Sequence, residues 1–373
     1  MRLAVLISGG GRTLENIAAA ISRGELNATV ALVISSRPGV KGLERAANLN
    51  IPSIVVARKA FADTGAFSAE IWRHVRAANA ELACLAGFLS LITIPPDFKG
   101  RVINVHPALL PSFGGQGMFG HHVHEAVIAA GCKLSGCTVH FADDTYDTGP
   151  ILVQRACAVQ EDDTPDTLAA RVFEEECCAY PQALKVLCDG RAIVHGRRVR
   201  VVPDIADIVE RARHFCAIAH EGQLRAGGNP YASHPIAVAG LVREQGVTDP
   251  EILAAACLHD VLEDTGVGRE QLERCFTSRV AALVAEVTIP PEAEKPFERK
   301  QQWLLEHARV LSPGAKWIKM ADRAHNISEL ASRPDDKRLR YAKATVDLLE
   351  ALRPWPSEAL AESIRKGIAP YLR

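Results

Sequence analysis

The sequence predicts two domains of different class: an α/β domain over residues 1–202, built on a doubly wound and mostly parallel sheet, followed by an all-α domain over residues 203–373. Three observations carry this expectation. Up to about residue 155, short runs rich in Val, Ile and Leu alternate with amphipathic segments, the rhythm of strands covered on both faces by helices. Beyond "VPDIAD" (202–207) only helical periods remain. With 373 residues and 48% hydrophobic composition, the chain is long and apolar enough for two full cores.

In chain order, the strands expected are "RLAVLIS", "TVALVISS", "SIVVA", "LACLAGF", "VINVH" and "GCTVHF". Helical spacing of Leu14, Ile17, Ala18 and Ile21 places a helix after the first of them. A long helix from about Pro165 to Asp189, then the short pieces "AIVHG" and "RVRVV", close the first domain. In the second, "RAGGNPYASHP", "GVTDP", "TIPPEAEKP" and "SRPDDK" break the helical periods. The connection "VRVVPD" is too short for a flexible spacer.

Composition narrows the partners. Forty-three basic and 44 acidic residues leave a net charge of −1, so no global field recruits nucleic acid or an anionic membrane. No 18-residue apolar stretch and no signal-peptide pattern occur, and the ten cysteines contain no C-x-x-C. The expectation is a cytoplasmic protein with reduced, structural thiols, acting on small molecules, with self-association left open.

Chemistry concentrates at two places in the first domain. "LISGGGRTLENI" is a strand, a glycine turn and a helix start, where backbone N–H groups can face an anion. "VINVHPALLPSF" sets Asn104 and His106 two apart at the end of a buried strand, and "HFADDTYDTGP" offers Asp147 from a loop. An amide, an imidazole and a carboxylate are what acyl-type transfer to an amine needs. The amide polarises a carbonyl oxygen, an imidazolium stabilises the oxyanion and donates a proton, and the carboxylate raises the imidazole pKa. The carboxyl edge of an open α/β sheet is where ligands bind.

These segments, with "SGGG", "SSRPGVKGLERA", "AGFL", "GHHVHEAV", "SGCTVHF", "DTGPILVQ" and "DTPDTLAARV", resemble the glycinamide ribonucleotide formyltransferase family over residues 1 to about 200. The resemblance implies transfer of a formyl group from 10-formyltetrahydrofolate to the glycinamide amine, with Asn104, His106 and Asp147 catalytic. It implies phosphate binding by Gly11, Arg12 and Thr13, folate binding by Leu89, Ser90, Leu91 and Ile92, and a glycinamide contact from Glu176. Many members have Arg where this chain has Ser90. The three histidines of "GHHVH" are not read as a metal site.

In the second domain, "LHDVLEDTG" (258–266) follows the apolar run Ile252–Ala256 with His259, Asp260, Glu263 and Asp264. On one continuous helix, His259 and Asp260 would lie over Glu263 and Asp264. Burying an imidazole and three carboxylates costs on the order of several kcal/mol without compensation, which a divalent cation supplies. His234 in "YASHP" and Asp322 in "IKMADRAHN" are candidates to complete its shell. Two His and two Asp suit manganese or a similar ion, with positions left open for water and a phosphate.

The order of these residues resembles the HD phosphohydrolase superfamily. More narrowly, "AHEGQLRAGGNPYASHPIAVAGLV", "AACLHDVLEDTGV" and "SPGAKWIKMADRAHNI" resemble the hydrolase domain of RelA/SpoT-type proteins. That resemblance implies metal ligation by His234, His259, Asp260 and Asp322, and removal of the 3′-pyrophosphate of (p)ppGpp. It further implies that Glu263 and Asp264 orient or activate water and that Arg225 and Asn326 contact the guanine nucleotide. Family members usually show two basic residues where this chain has Arg225 and Ala226. Two other readings stand beside hydrolysis of (p)ppGpp: a non-catalytic alarmone sensor that regulates the transferase, and hydrolysis of NADPH or another nucleotide.

Overall fold

The structure, a computed structural model, describes residues 1–225, 227–332 and 334–372. The chain divides into two compact units, Met1–Val199 and Arg200–Arg373.

The first unit is a mixed sheet flanked by helices. Its strands are β1 (Arg2–Ile7), β2 (Thr29–Ser35), β3 (Ser53–Val55), β4 (Leu82–Leu85), β5 (Val102–His106), β6 (Leu134–Phe141), β7 (Ile151–Ala158), β8 (Ala192–His195) and β9 (Arg198–Val201). They pair in the order β3-β2-β1-β4-β5-β6-β7-β9-β8. From β3 to β5 all neighbours are parallel, whereas β6 runs antiparallel to both β5 and β7. The expected mostly parallel sheet is present, with this antiparallel insertion.

Helices α1 (Arg12–Ser22), α2 (Lys41–Asn48), α3 (Thr64–Ala77), α4 (His121–Ala129) and α5 (Pro165–Cys188) cover the two faces. In β1 the alternation is explicit: Leu3, Val5 and Ile7 join Leu14, Ile17, Leu168 and Tyr180 in one core. Ala4 and Leu6 join Phe67, Ile71, Trp72 and Val75 in the other. Both faces of the strand are buried, which is why it reads as a continuous apolar run. Helix α5 starts at a capping box between Thr164 and Thr167, with Pro165 in its first turn. Strand β7 was not anticipated, because Gln154 and Arg155 interrupt its apolar residues and its exposure alternates.

The second unit is all helical. It comprises α6 (Ile208–Ala219), α7 (Ser233–Glu244), α8 (Pro250–Leu258), α9 (Val261–Asp264), α10 (Arg269–Cys275), α11 (Ser278–Val287), α12 (Pro291–Glu294), α13 (Phe297–Ala308), α14 (Pro313–Ser328), α15 (Asp335–Ala351) and α16 (Glu358–Ile368). Beyond the end of β9 at Val201, one isolated bridge between Leu224 and Pro230 is the β pairing found among its described residues. Helix α8 is buried on every side from Ile252 to Leu258, so it forms the centre of this unit.

The continuous helix expected across residues 252–264 is not formed. Helix α8 stops at Leu258, and His259 and Asp260 occupy the junction before α9. The His259 ring donates from Nδ1 to the Ala256 carbonyl at 2.9 Å, competing with the backbone for that acceptor. Both junction residues keep right-handed helical dihedrals, and the Asp260 carbonyl accepts the Glu263 and Asp264 N–H groups at 3.1 and 2.9 Å, so the chain re-enters a helical turn directly. Among the described residues, no helix is long and apolar enough to cross a membrane.

Candidate functional site

In the first unit, β5 delivers Asn104 and His106 to the carboxyl edge of the sheet, and a cleft of about 670 Å³ opens there. Asp147 reaches them from the loop before β7, in the left-handed backbone region at φ 58°. Its Oδ2 lies 3.4 Å from His106 Nδ1 and accepts the Gly115 N–H at 3.0 Å. Its Oδ1 lies 3.5 Å from Asn104 Nδ2. The three residues singled out in sequence thus meet in one place.

The opposite ring nitrogen of His106 donates to the Phe113 carbonyl at 2.8 Å, so Nε2 carries a hydrogen and Nδ1 faces Asp147. Asp147 does pull the His106 pKa upward, as expected, but the protonated ring that this pull was expected to leave is corrected. His106 is only 3% exposed, and burial lowers its pKa below the usual imidazole value despite the opposing pull of Asp147. Asp147 itself sits below the ordinary carboxylate range: burial pushes it up, but contacts from His140, His106 and the Gly115 N–H outweigh that.

His140 is a member of this cluster that sequence reasoning missed. Its Nε2 lies 3.3 Å from Asn104 Nδ2 and 3.6 Å from Asp147 Oδ1, and its Nδ1 donates to the Phe141 carbonyl. The cause is the antiparallel register, which sets His140 directly opposite Asn104. His124, also buried, lines the same cleft.

The glycine turn lines the cleft as expected. Gly11 caps α1 at φ 74°, and a Cβ there would meet the Gly42 Cα at 2.6 Å, so only glycine fits. Arg12 and Thr13 open the helix, whose first N–H groups lack backbone partners. The Arg12 guanidinium stacks 3.8 Å from the centre of Phe173. Of the stretch 89–92, Leu89 reaches the cleft wall, whereas Ile92 is buried in the core and Ser90 and Leu91 stand outside the lining. Glu176 lines the cleft from α5, where burial pushes its carboxyl up to about 7 against the pull of Arg12.

In the second unit, His234 comes from the first turn of α7, His259 and Asp260 from the α8–α9 junction, and Asp322 from α14. His234 Nε2 lies 3.2 Å from Asp322 Oδ1 and 3.6 Å from Asp260 Oδ2. His259 Nε2 lies 3.2 Å from Asp260 Oδ1 and 3.7 Å from Asp322 Oδ1. Among the described residues, His234, His259 and Asp260 are the group whose ligand atoms all lie within 4.8 Å of one another. Asp322 borders the same space.

The donor set fits a divalent cation. His259 Nε2 is buried yet makes no well-formed hydrogen bond, and two carboxylates converge on it. Burial alone would lower the His259 pKa, but Asp260 and Asp322 override it and raise the ring to about 9. A buried imidazole that holds a proton this tightly marks a place that favours positive charge.

Each of the four side chains also has an outer partner, an arrangement common around metal-binding side chains. Ala256 holds His259, Asn326 Nδ2 donates to Asp322 Oδ1 at 2.6 Å, and the Tyr231 hydroxyl lies 2.9 Å from Asp260 Oδ2. His325 Nδ1 lies 2.9 Å from His234 Nδ1. Neither Tyr231 nor His325 was singled out in sequence, although both lie inside the quoted motifs.

The remaining expected residues are placed as follows. Glu263 Oε1 accepts the Ile289 N–H at 2.6 Å, and burial raises its pKa. Asp264 Oδ2 accepts from the Tyr231 hydroxyl at 2.7 Å, so one phenol touches both Asp260 and Asp264. Arg225 donates to Asn326 Oδ1 at 3.2 Å and pairs with Glu329 at 2.8 Å. Ala226, where a second basic residue was sought, lies outside the described residues.

Comparison with known proteins agrees with this division. Residues 1–184 match the family described as "Formyl transferase", and residues 212–353 match "HD domain". The chain is 36% identical over 188 residues to a phosphoribosylglycinamide formyltransferase of Bacillus subtilis (strain 168), covering 50% of this chain and 94% of that protein. It is 43% identical over 197 residues to the trifunctional purine biosynthetic protein adenosine-3 of Drosophila melanogaster, covering 52% of this chain and 14% of the fly protein. Among solved structures, glycinamide ribonucleotide transformylase 1 from Symbiobacterium toebii superposes with a TM-score of 0.51 at 36% identity, over 54% of this chain and 94% of that one. The chain therefore belongs to the phosphoribosylglycinamide formyltransferase family through its first unit, and carries an HD domain in its second.

Proposed function

We propose that the chain is bifunctional, with a transferase domain at 1–202 and a hydrolase domain at 203–373. The first transfers the formyl group of 10-formyltetrahydrofolate to the amine of glycinamide ribonucleotide. The observation that carries this is the meeting of Asn104, His106 and Asp147 in a cleft that also contains the glycine turn. In this reading the turn and Arg12 hold the substrate phosphate, and Glu176 receives the glycinamide amine.

The amine attacks the formyl carbon, and the Asn104 amide steadies the oxyanion. His106 enters neutral, because burial lowers its pKa. It takes the proton released by the amine at Nδ1, where Asp147 stabilises the imidazolium, and returns a proton to the folate nitrogen as the C–N bond breaks. Formyl transfer from 10-formyltetrahydrofolate to glycinamide ribonucleotide, measured in the full chain, tests this; no transfer overturns it.

For the second domain, the reading is hydrolysis of a phosphorylated nucleotide, with the 3′-pyrophosphate of (p)ppGpp as substrate. His234, His259, Asp260 and Asp322 would hold a divalent cation, Mn²⁺ in this reading, which supplies an acidified water and charge neutralisation when bound. Glu263 keeps one carboxylate oxygen beyond its bond to Ile289 and would orient water. Arg225 and Asn326 would face the nucleotide. A second reading keeps hydrolysis but makes another nucleotide, such as NADPH, the substrate; in either case Arg225 would exchange its Glu329 partner for a nucleotide phosphate. Phosphate and pyrophosphate release over a panel of (p)ppGpp, NADPH and other nucleotides, with Mn²⁺ present, separates the two; tight binding without turnover makes the domain a sensor. The ten free thiols and soluble substrates fit a cytoplasmic location.

A further inference from the structure

We propose that His325 is a positioning residue for the metal centre: its Nδ1 accepts the Nδ1–H of His234 and so leaves the Nε2 lone pair of His234 free to bind the ion. This rests on the metal-centre reading above. Two ring nitrogens 2.9 Å apart require one hydrogen between them, and either ring can supply it. If His325 donates, neutral His234 carries its own hydrogen on Nε2, the nitrogen that lies 3.2 Å from Asp322 and 3.6 Å from Asp260. Coordination there is then blocked. If His234 donates, Nε2 is bare and faces the two carboxylates that share the ion.

His325 alone makes this a choice. The Ala256 carbonyl can only accept from His259, and the Asn326 nitrogen can only donate to Asp322. The Tyr231 hydroxyl faces only carboxylate oxygens and can act there only as a donor, its one hydrogen shared between Asp260 and Asp264. A ring at position 325 can be either donor or acceptor, and only the acceptor form is compatible with ligation by His234. Helix α14 supplies both Asp322 and His325, three residues apart on one face, so one rigid element fixes a ligand and the partner of another ligand.

The test compares Mn²⁺ affinity by calorimetry, and the optical spectrum of the Co²⁺ form, in the full-length wild type, His325→Ala and His325→Asn. The Asn Oδ1 stands near the position of the imidazole Nδ1 and accepts without donating. His325→Ala is expected to weaken Mn²⁺ binding by about 10- to 100-fold and to alter the Co²⁺ spectrum, as loss of an outer partner does. His325→Asn is expected to recover most of the affinity and the wild-type spectrum. Wild-type affinity in His325→Ala, or an Asn variant no better than the Ala variant, overturns the proposal. If His325→Ala does not fold, the Asn variant decides alone: retained affinity supports the acceptor role and lost affinity overturns it. A wild type that binds no Mn²⁺ removes the metal-centre reading itself and this inference with it, an outcome distinct from normal binding by every variant.

Discussion

Both units bury a histidine against carboxylate, and the two rings respond in opposite directions. His106 faces one carboxylate, Asp147 at 3.4 Å, and burial wins, so the ring falls below its ordinary pKa. His259 faces two, Asp260 at 3.2 Å and Asp322 at 3.7 Å, and is raised to about 9. An opposite charge near 4 Å contributes about 4 kcal/mol at an effective dielectric of 20, comparable to the penalty of full burial. One carboxylate therefore leaves the contest close, and a second reverses it. The difference separates the chemistry: the first site holds a neutral ring ready to take a proton, whereas the second favours added positive charge.

The largest expected effect strikes the first site alone. His106→Ala should lower formyl transfer by about 100-fold or more, as loss of a general acid–base group does, and leave Mn²⁺ binding by the second unit intact. Steady-state transfer rates and a Mn²⁺ titration of the same preparation check both halves; near wild-type transfer sinks the assignment.

The second site should break in two distinct ways. Wild type at Mn²⁺ about 100 times its Kd should gain about 2.7 kcal/mol of stability, since a ligand that binds only the native state stabilises it by mass action. Asp260→Ala should lose both the ion and that gain. Glu263→Gln should keep the ion while nucleotide turnover collapses, because Gln can still accept the Ile289 N–H but carries no charge. Elemental analysis beside melting curves distinguishes them: a Gln variant as empty of metal as Asp260→Ala makes Glu263 a ligand.

A subtler change sharpens the comparison of the two rings. Asp147→Asn removes the main influence that raises the His106 pKa, so the ring should titrate at still lower pH than in wild type. Imidazole resonances followed by NMR across the acid range report this directly. An unmoved His106 would uncouple the two residues.

The smallest effect concerns Glu176. Its folded pKa of about 7 lies above the ordinary carboxylate value, so the native state holds the proton more tightly than the unfolded chain. That contribution to stability is complete below about pH 4 and is lost as pH rises through 7. Glu176→Gln should therefore be more stable than wild type at pH 8, by on the order of 1 kcal/mol because water in the cleft limits the effect. The advantage should vanish near pH 4. Equal melting temperatures at pH 8 would show that Glu176 ionises freely.

Much of each site was legible because it depends on local spacing. A strand's period of two puts Asn104 and His106 on one side of β5, and the glycine turn announces itself between an apolar run and a helical period. His140 was not legible, since its place opposite Asn104 depends on the antiparallel register of β6 against β5. The helix break at His259 was hidden by the unbroken apolar run before it. The side-chain bond from His259 to Ala256 at that break depends on a rotamer that periodicity does not reveal.

By itself, then, the sequence determined the class of each unit and the residue types that each site contains, because hydrophobic period and turn chemistry are local properties. Only the tertiary structure decided what those residues do to one another. The protonation of His106, the raised ring of His259 and the pairing of His234 with His325 depend on burial and on distances between residues far apart in the chain. Electrostatic energies in a low-dielectric interior change steeply over an ångström, and sequence spacing does not fix an ångström between separate helices and strands.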